Sequence, residues 1–460
     1  MTDAGPDVTV VVPVYNAAAY LPALLDSLAG QDIGAAQFAA VLVNDGSTDG
    51  SGALLDDFAT RHANVRVIHQ DHDDSGTPGR PRNVGIRAST GRYVFFADAD
   101  DVLAPSCLRD LVAFADTHRS DVVIPKLTPM PGRSIPSAAY RRTLGEADLE
   151  TAFRSLFTVR LIRRQFLGDH DLWYTEAVRQ SLCDAIFNAH AYVHARRISV
   201  LADGDYYFVR ARADGQVSLS KAPKTPSVYT AGVAQICEII RWHVEGDLAD
   251  RLVLDIYRRK CLNQYTDRFA EYDCATQEAW ITAHRALAER FVPEGLEQRL
   301  QSLFRERAHL VRRGDREGLL ELRAAEKAPA VAARVVSAAW GREGLRVGLE
   351  VSVSARLGTP RQITCSMVPR DGDGHSAFPM LREGSARGYG VAAAYVGWIP
   401  ESTMDLLVPG TYDIRVVSET PAERLTARVL WPAALPPPAV RRGFAFFGTK
   451  GGNASVRKTS

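Results

Sequence analysis

Two aspartates separated by one small residue, Asp98-Ala99-Asp100, follow directly on the apolar run from Arg92 to Ala97. Carboxylates so spaced at the end of a strand can hold a hard divalent cation, and such a cation neutralises a diphosphate leaving group. A second reading makes Asp98 to Asp101 the end of a strand and the cap of a helix starting near Pro105. Asn44-Asp45-Gly46-Ser47-Thr48-Asp49 closes another apolar run. There Asp45 can accept hydrogen bonds from a base or ribose, while Ser47 and Asp49 suit an ordinary turn into a helix. A third segment, Gly76 to Gly85, is rich in Gly and Pro and carries Arg80 and Arg82 ahead of Asn83. A guanidinium there fits a phosphate or a uracil edge, or is simply a solvated loop cation. His190 and His194 share a helix face, but no acidic third ligand of familiar spacing accompanies them, so packing roles suit them better.

These residues need elements to hold them. Val8 to Val14 is β-rich and reads as a buried strand, and Leu21, Leu24, Leu25 and Leu28 mark a helix over 19–29. Strands follow at 39–43, 65–69 and 92–97, with a helix around Leu54, Leu55 and Phe58 between the first two. Short strands alternating with amphipathic helices predict a mostly parallel sheet between two helical layers. Pro129, Pro131, Gly132 and Pro136 form a connector, and long helical periodicity runs over 227–326. Arg305, Arg307, Arg312, Arg313 and Arg316 in that stretch read as a solvated helix face. Beyond residue 328, Leu345, Val347, Leu349, Val351 and Val353 alternate with polar or small residues, which predicts a β-sandwich over 329–433. Residues 434–460 combine three consecutive prolines with unopposed Arg and Lys and read as a flexible basic tail.

Bulk composition excludes more than it assigns. The 460 residues allow about three domains. Fifty-five Lys and Arg against 54 Asp and Glu leave a formal charge of +1, so no global field draws the chain to nucleic acid. Six scattered Cys form no C-x-x-C pair, which argues against a disulfide framework or structural zinc and favours a reducing cytoplasm. The acidic N-terminus and the absence of a long apolar run predict neither signal peptide nor spanning helix.

Taken in order, Val11-Val12-Pro13-Val14-Tyr15-Asn16, Asn44-Asp45-Gly46-Ser47, Arg82-Asn83-Val84-Gly85 and Phe95-Phe96-Ala97-Asp98-Ala99-Asp100-Asp101 resemble the donor half of a family-2 glycosyltransferase with the GT-A fold. The resemblance implies a nucleotide-sugar-binding half over 1–125, an acceptor-binding half over 126–226, and a helical linker over 227–328. It implies that Pro13 and Tyr15 line the nucleotide pocket, that Asp45 contacts uracil, and that Arg82 with Asn83 holds the uridine or diphosphate. Asp98 then faces the ribose and metal side, and Asp100 is the direct ligand of Mn²⁺ or Mg²⁺. Such enzymes take nucleotide sugars, most often UDP-linked, and invert the anomeric centre. Their base usually belongs to an acidic pair preceding a helix, and Cys183-Asp184 is the matching place, so Asp184 is the candidate base with Cys183 in place of the usual acid.

Gly132-Arg133-Ser134-Ile135-Pro136 and the run Ile198 to Tyr207 are further similar to wall teichoic acid transferases that place N-acetylglucosamine on poly(ribitol phosphate). That likeness implies a phosphate contact for Arg133, a glycopolymer acceptor, a cytoplasmic location peripheral to the inner membrane face, and a homotrimer built through the C-terminal β domain. One departure is that no His follows Tyr206 and Tyr207 before Ser220, and Ser218 stands near where such enzymes carry one. Cys183 and this missing His motivate an alternative, a silent nucleotide-sugar-binding scaffold. A further alternative is transfer to another acceptor, such as an exopolysaccharide, a peptide or a small molecule. A nucleotidyltransferase is disfavoured because Tyr15-Asn16-Ala17-Ala18 supplies no Gly-rich phosphate loop after the first strand.

Overall fold

A computed structural model describes residues 5–70, 77–135, 137–176, 182–212, 223–327, 331–342, 344–353, 362–370, 376–383, 393–407, 409–419, 424–441 and 443–459. They form two compact units, one of residues 1–261 with 286–292 and the other of 262–285 with 293–460. The helical stretch expected as one linker is therefore divided between them.

In the first unit β1 (Val8–Val14), β2 (Phe38–Asn44), β3 (Val65–His69) and β4 (Tyr93–Phe96) alternate with α1 (Leu21–Ala29), α2 (Ser51–Arg61) and α3 (Gly79–Ala88). After β5 (Val102–Leu103) come α4 (Cys107–His118), β6 (Val122–Pro125), β7 (Leu127–Pro129), α5 (Leu149–Phe153), β8 (Leu161–Arg163) and α6 (Arg164–Asp169). The unit continues through α7 (Cys183–His194), β9 (Ile198–Leu201), β10 (Tyr207–Val209), α8 (Pro226–His243) and α9 (Gly246–Ile256).

Seven strands make one sheet in the order β3-β2-β1-β4-β8-β6-β9, parallel except for β8. The first three strands step outward from β1, and β4 then joins its other edge. The order reverses there, so a crevice opens beyond the carboxyl ends of β1 and β4. β1 is buried along almost its whole length, as its continuous Val run demands. Helix α3 lies hard against it: a Cβ on Gly85 would come 2.2 Å from Val11 Cγ1, so only glycine permits that approach. β5, β10 and β7 form a small second sheet, which carries the chain from Asp101 back beneath the crevice.

The second unit holds helices over Ser302–Arg313 and Arg316–Lys327, then β11 (Val331–Trp340), β12 (Gly344–Val353), β13 (Gln362–Pro369), β14 (Ser376–Pro379) and β15 (Leu381–Glu383). β16 (Ala393–Pro400), β17 (Gly410–Glu419), β18 (Arg424–Leu430), β19 (Phe444–Gly448) and β20 (Ala454–Lys458) complete it. The expected period of two holds, with Leu345, Val347, Leu349 and Val351 buried in one core with Cys365, Ile414, Val416 and Phe446. The strands join into one ten-stranded array, continuous where β11 runs parallel to β18.

Two expectations need correction. Residues 434–460 are not a flexible tail: β19 and β20 pair with each other and β20 with β17, burying Phe444, Phe446, Ala454 and Val456. Apolar residues alternate inward while Arg457 points out, so the net basic count hid a strand pattern. The arginines of 305–316 are not uniformly solvated either. Arg307 is buried, donating to the Leu262 carbonyl at 2.9 Å and to Glu326 at 2.5 Å, and Arg312 pairs with Glu297 at 2.8 Å.

Candidate active site

Strand ends supply the floor of the crevice. Asp45 follows β2, is buried, and donates its amide to the Val14 carbonyl at 2.8 Å. Pro13, near the end of β1, is half-buried, and Tyr15, just after it, is exposed. The turn beyond them is tied to the turn after β2: Asn16 N donates to Ser47 Oγ at 3.0 Å and Ala18 N to Asp49 Oδ2 at 2.9 Å. Burial pushes the Asp49 carboxyl up, but hydrogen bonds from Ser51 and the Ala18 amide outweigh it and hold the group below the ordinary carboxylate range. Ser47 and Asp49 are thus turn residues, the simpler of their two readings.

Arg82 is the centre of the site. Its guanidinium is buried in the first turn of α3 and forks, one nitrogen to Asp98 Oδ1 at 2.7 Å and the other to Asp184 Oδ1 at 2.5 Å. It also lies 5.2 Å from the Tyr174 ring centroid. Burial alone would weaken its proton affinity, but Asp184 and Asp98 raise its pKa well above the usual arginine value. The expected donor and base regions are thus joined by one side chain. Asp184 sits in the first turn of α7, as its second residue, and the cap position is taken by Leu182. Cys183 Sγ approaches Asp184 Oδ1 at 3.4 Å. Burial, then the Asp184 charge, raises the thiol's pKa far above its usual value.

Although 37% of the Asp98 side chain is exposed, its carboxylate faces the cleft wall. Burial, with Asp100 and Asp184 adding to it, raises its pKa to about 6 against the pull of Arg82. Its amide donates to Tyr207 Oη at 2.8 Å. Asp101 is buried and accepts from the Arg210 amide at 2.8 Å, so it belongs to the scaffold. Burial and the charges of Asp98 and Asp100 raise its pKa well above normal.

The residues fit a divalent cation, with one qualification written into the geometry. Asp98 and Asp100 offer hard oxygens in a cluster whose mutual repulsion a cation relieves, yet Asp100 Oδ2 already accepts from Arg212 Nε at 2.7 Å. A cation on Asp100 must use Oδ1 or displace that guanidinium. Among the described residues no group of three His, Cys, Asp or Glu is assembled as a ready metal site.

Asn83 lies differently from its expected role. It is buried, and its amide holds the chain after residue 173, donating to the Tyr174 carbonyl at 2.9 Å and to Glu176 Oε1 at 2.8 Å while accepting from Tyr174 N at 2.9 Å. It positions Tyr174 against Arg82 and has no amide hydrogen left to donate to a nucleotide. Arg133 is half-buried in the turn after β7, and its Nε has no partner among the described residues. Ser181 and Ser218 lie outside the described residues. The histidine rings cluster with tilted faces, His194 lying 4.4 Å from His243 and 4.9 Å from His170 between ring centroids, in keeping with the packing role.

Sequence reading missed Lys260. It lies in a π-helical turn, Tyr257–Cys261, directly after α9. Burial, then Arg259 and Lys224, lowers its pKa to about 8, while the Asp184 charge partly restores it. Its charge and that of Asp184 therefore act on each other. No motif in the sequence singles it out.

A transferase domain of the GT-A kind is defined by this sheet, its strand-end carboxylates and the Arg82 fork. Residues 9–187 match the family model described as Glycosyl transferase family 2, and residues 226–323 match that of the Glycosyl transferase TarS linker domain. The chain therefore carries a family-2 glycosyltransferase domain followed by a TarS-type linker. Among relatives, the poly(ribitol-phosphate) beta-N-acetylglucosaminyltransferase TarS of Staphylococcus aureus is 32% identical over 312 residues, 67% of this chain and 53% of TarS. A poly(ribitol-phosphate) beta-glucosyltransferase of Bacillus spizizenii is 31% identical over 219 residues, 47% of this chain and 34% of that enzyme. The chain thus spans about half, or less, of the length of these relatives. A crystal structure of S. aureus TarS 1-349 in complex with UDP-GlcNAc matches with TM-score 0.63 at 26% identity, over 74% of this chain and 96% of that one. Another crystal structure of S. aureus TarS covers 99% of this chain and 85% of that one with TM-score 0.64 at 21% identity, a likeness of fold. No helix among the described residues is long and apolar enough to cross a membrane.

Proposed function

We propose that this chain is an inverting, metal-dependent glycosyltransferase that moves N-acetylglucosamine from UDP-GlcNAc to a hydroxyl of poly(ribitol phosphate) or a closely similar phosphodiester polymer. The observation that carries the reading is the Arg82 fork, which brings the donor-side carboxylate Asp98 and the acceptor-side carboxylate Asp184 to one guanidinium. The names of the relatives supply the sugar and the polymer.

Asp45 and the Pro13–Tyr15 turn receive the nucleotide, Arg133 faces its phosphates, Arg82 holds Asp98 and Asp184 in place beside them, and Asp98 meets the ribose. Asp100 with Asp98 would hold Mn²⁺ or Mg²⁺, which when bound neutralises charge on the departing diphosphate. Asp184 takes the proton of the acceptor hydroxyl as its oxygen bonds to the anomeric carbon on the face opposite the UDP, and the configuration inverts. Its Oδ1 is held by Arg82, and no donor among the described residues meets Oδ2, the oxygen left for that proton. Lys260 adds positive charge on the acceptor side, where its charge and that of Asp184 act on each other. The protein works on the cytoplasmic face, where UDP-sugars are, and assembles through its β unit.

The test is transfer to poly(ribitol phosphate) by purified protein with Mn²⁺, comparing UDP-GlcNAc with UDP-glucose. Asp184→Asn should lower kcat by roughly 10²- to 10⁴-fold while UDP-GlcNAc affinity changes little. Transfer at the parent rate would place the base elsewhere. Nucleotide binding without turnover on any acceptor would favour the silent scaffold that Cys183 suggests, and full activity in excess chelator would remove the cation.

A further inference from the structure

The second unit contains a cavity of about 790 Å³ where β13, β17 and β18 meet the hairpin of β19 and β20. Its charged lining is lopsided: Arg370, Arg415, Arg428, Lys450 and Arg457 face one carboxylate, Asp413. That carboxylate is already committed. It accepts from Arg370 Nε at 2.8 Å and from Ser455 Oγ at 3.0 Å, with Arg428 at 3.7 Å.

Arg428 has only that long contact, and among the described residues no carboxylate pairs with Arg415, Lys450 or Arg457. Arg415 and Arg428 stand directly opposite each other in the antiparallel pairing of β17 with β18, an arrangement that like charges disfavour. Arg415 Nε is shielded from solvent and has no acceptor among the described residues. The Arg457 guanidinium is pinned 5.0 Å from the Phe447 ring centroid, and Lys450 sits at the glycine-rich tip of the hairpin, next to Gly451 and Gly452. Tolerated repulsion, an orphaned buried donor and a roomy cavity share one remedy, an anion with several acceptor oxygens. Planar guanidinium forks at successive positions suit phosphate oxygens, and the volume exceeds what a single phosphate fills.

The geometry points to a binding site for a phosphodiester-linked polyol chain in this cavity, carried by the β unit and separate in its residues from the transferase site. The unit then grips a segment of the polymer that the transferase site modifies, which rests on the proposed acceptor class. Repeated weak contacts of this kind raise the effective concentration of the polymer without new chemistry.

The experiment uses the full chain and a synthetic oligo(glycerol phosphate) of about ten units as the probe, titrated by calorimetry at low and high salt. Wild type should bind, more weakly as salt rises. Arg415→Gln with Arg428→Gln should weaken binding at least tenfold, while donor hydrolysis in the absence of acceptor stays at the parent rate and KM rises for long polymers but not for short ones. Lys450→Gln, at an exposed tip, should weaken binding several-fold and guards against a fold defect in the double variant. Undiminished binding in both variants overturns the proposal. So does equal affinity for a single-stranded oligonucleotide of matched charge, which would make the cavity a general polyanion trap. Inorganic phosphate competing at equal phosphate concentration also overturns it, because one anion would then suffice. Should every acceptor fail to receive sugar while the probe still binds in the cavity, the proposed reaction fails and this site stands.

Discussion

Arg82 and the arginines of the β-unit cavity solve opposite problems. Arg82 is enclosed and its charge is answered, with a carboxylate on each fork and an aromatic face beside it, although its Nε has no partner among the described residues. The cavity arginines are more open and share one carboxylate among five cations. A buried ion with its partners in place is part of the fold, because removing it strands the partners. A group of like charges without partners contributes little to the fold and is understood only with a ligand present. The same residue type is thus structural machinery in one unit and a receptor in the other.

Breaking the answered arginine should do the most damage. Arg82→Met leaves Asp98 and Asp184 without their cation, which costs about 3–5 kcal/mol by analogy with other buried pairs. Calorimetry should show a lowered melting transition, and transfer should fall at least 10³-fold; Arg82→Lys should recover stability better than activity, because an ammonium cannot bridge both carboxylates as a fork does. An unchanged melt in Arg82→Met would erase the contrast. Next in size, Asn83→Ala strands the buried amide and carbonyl of Tyr174, a loss of about 1–3 kcal/mol. Its turnover should drop with UDP binding nearly intact, whereas a Kd rise with kcat unchanged would restore Asn83 to the nucleotide pocket.

A third test concerns charge that appears only on acidification. Burial, then His194 and His243, lowers the His190 pKa, and burial, then His194, lowers that of His243. A folded pKa below the ordinary value of about 6.5 means that the unfolded chain takes up the proton first. The stability is therefore present above pH 6.5 and is lost as pH falls below it. Melting temperature should drop by about 2–4 °C between pH 7.5 and 5.5, and His190→Gln should flatten that slope. The smallest effect belongs to the cavity: Arg428→Gln should shift the melt by no more than about 0.5 kcal/mol, upward if it moves, because a cross-strand repulsion is relieved.

What could be read in the sequence was local. Asp45, Asp98 and Asp100 were visible because a strand end and a short motif coincide within a few residues, and the mostly parallel sheet followed from its alternating apolar runs. The Arg82 fork was not, since its acceptors lie 16 and 102 residues away. Arg212 on Asp100, 112 residues apart, escaped for the same reason, as did the tether that Asn83 makes to a segment 91 residues on. Lys260 was hidden differently: its basic neighbours look like any solvated helix end until burial is known. The C-terminal strands were masked by composition, because a count of Arg and Lys ignores that Phe444, Phe446, Ala454 and Val456 take every second place.

Cys183 gives the site a simple proton inventory. Two adjacent carboxylates share protons and titrate as a pair, smearing the acid limb of a rate profile over two overlapping steps. A thiol pushed far above its usual value keeps its proton throughout the range in which the enzyme could work. It therefore neither exchanges charge with Asp184 nor forms the thiolate that oxidants and alkylating reagents attack. The residue before the candidate base is a silent spacer, and mild oxidation should leave this corner of the cleft untouched.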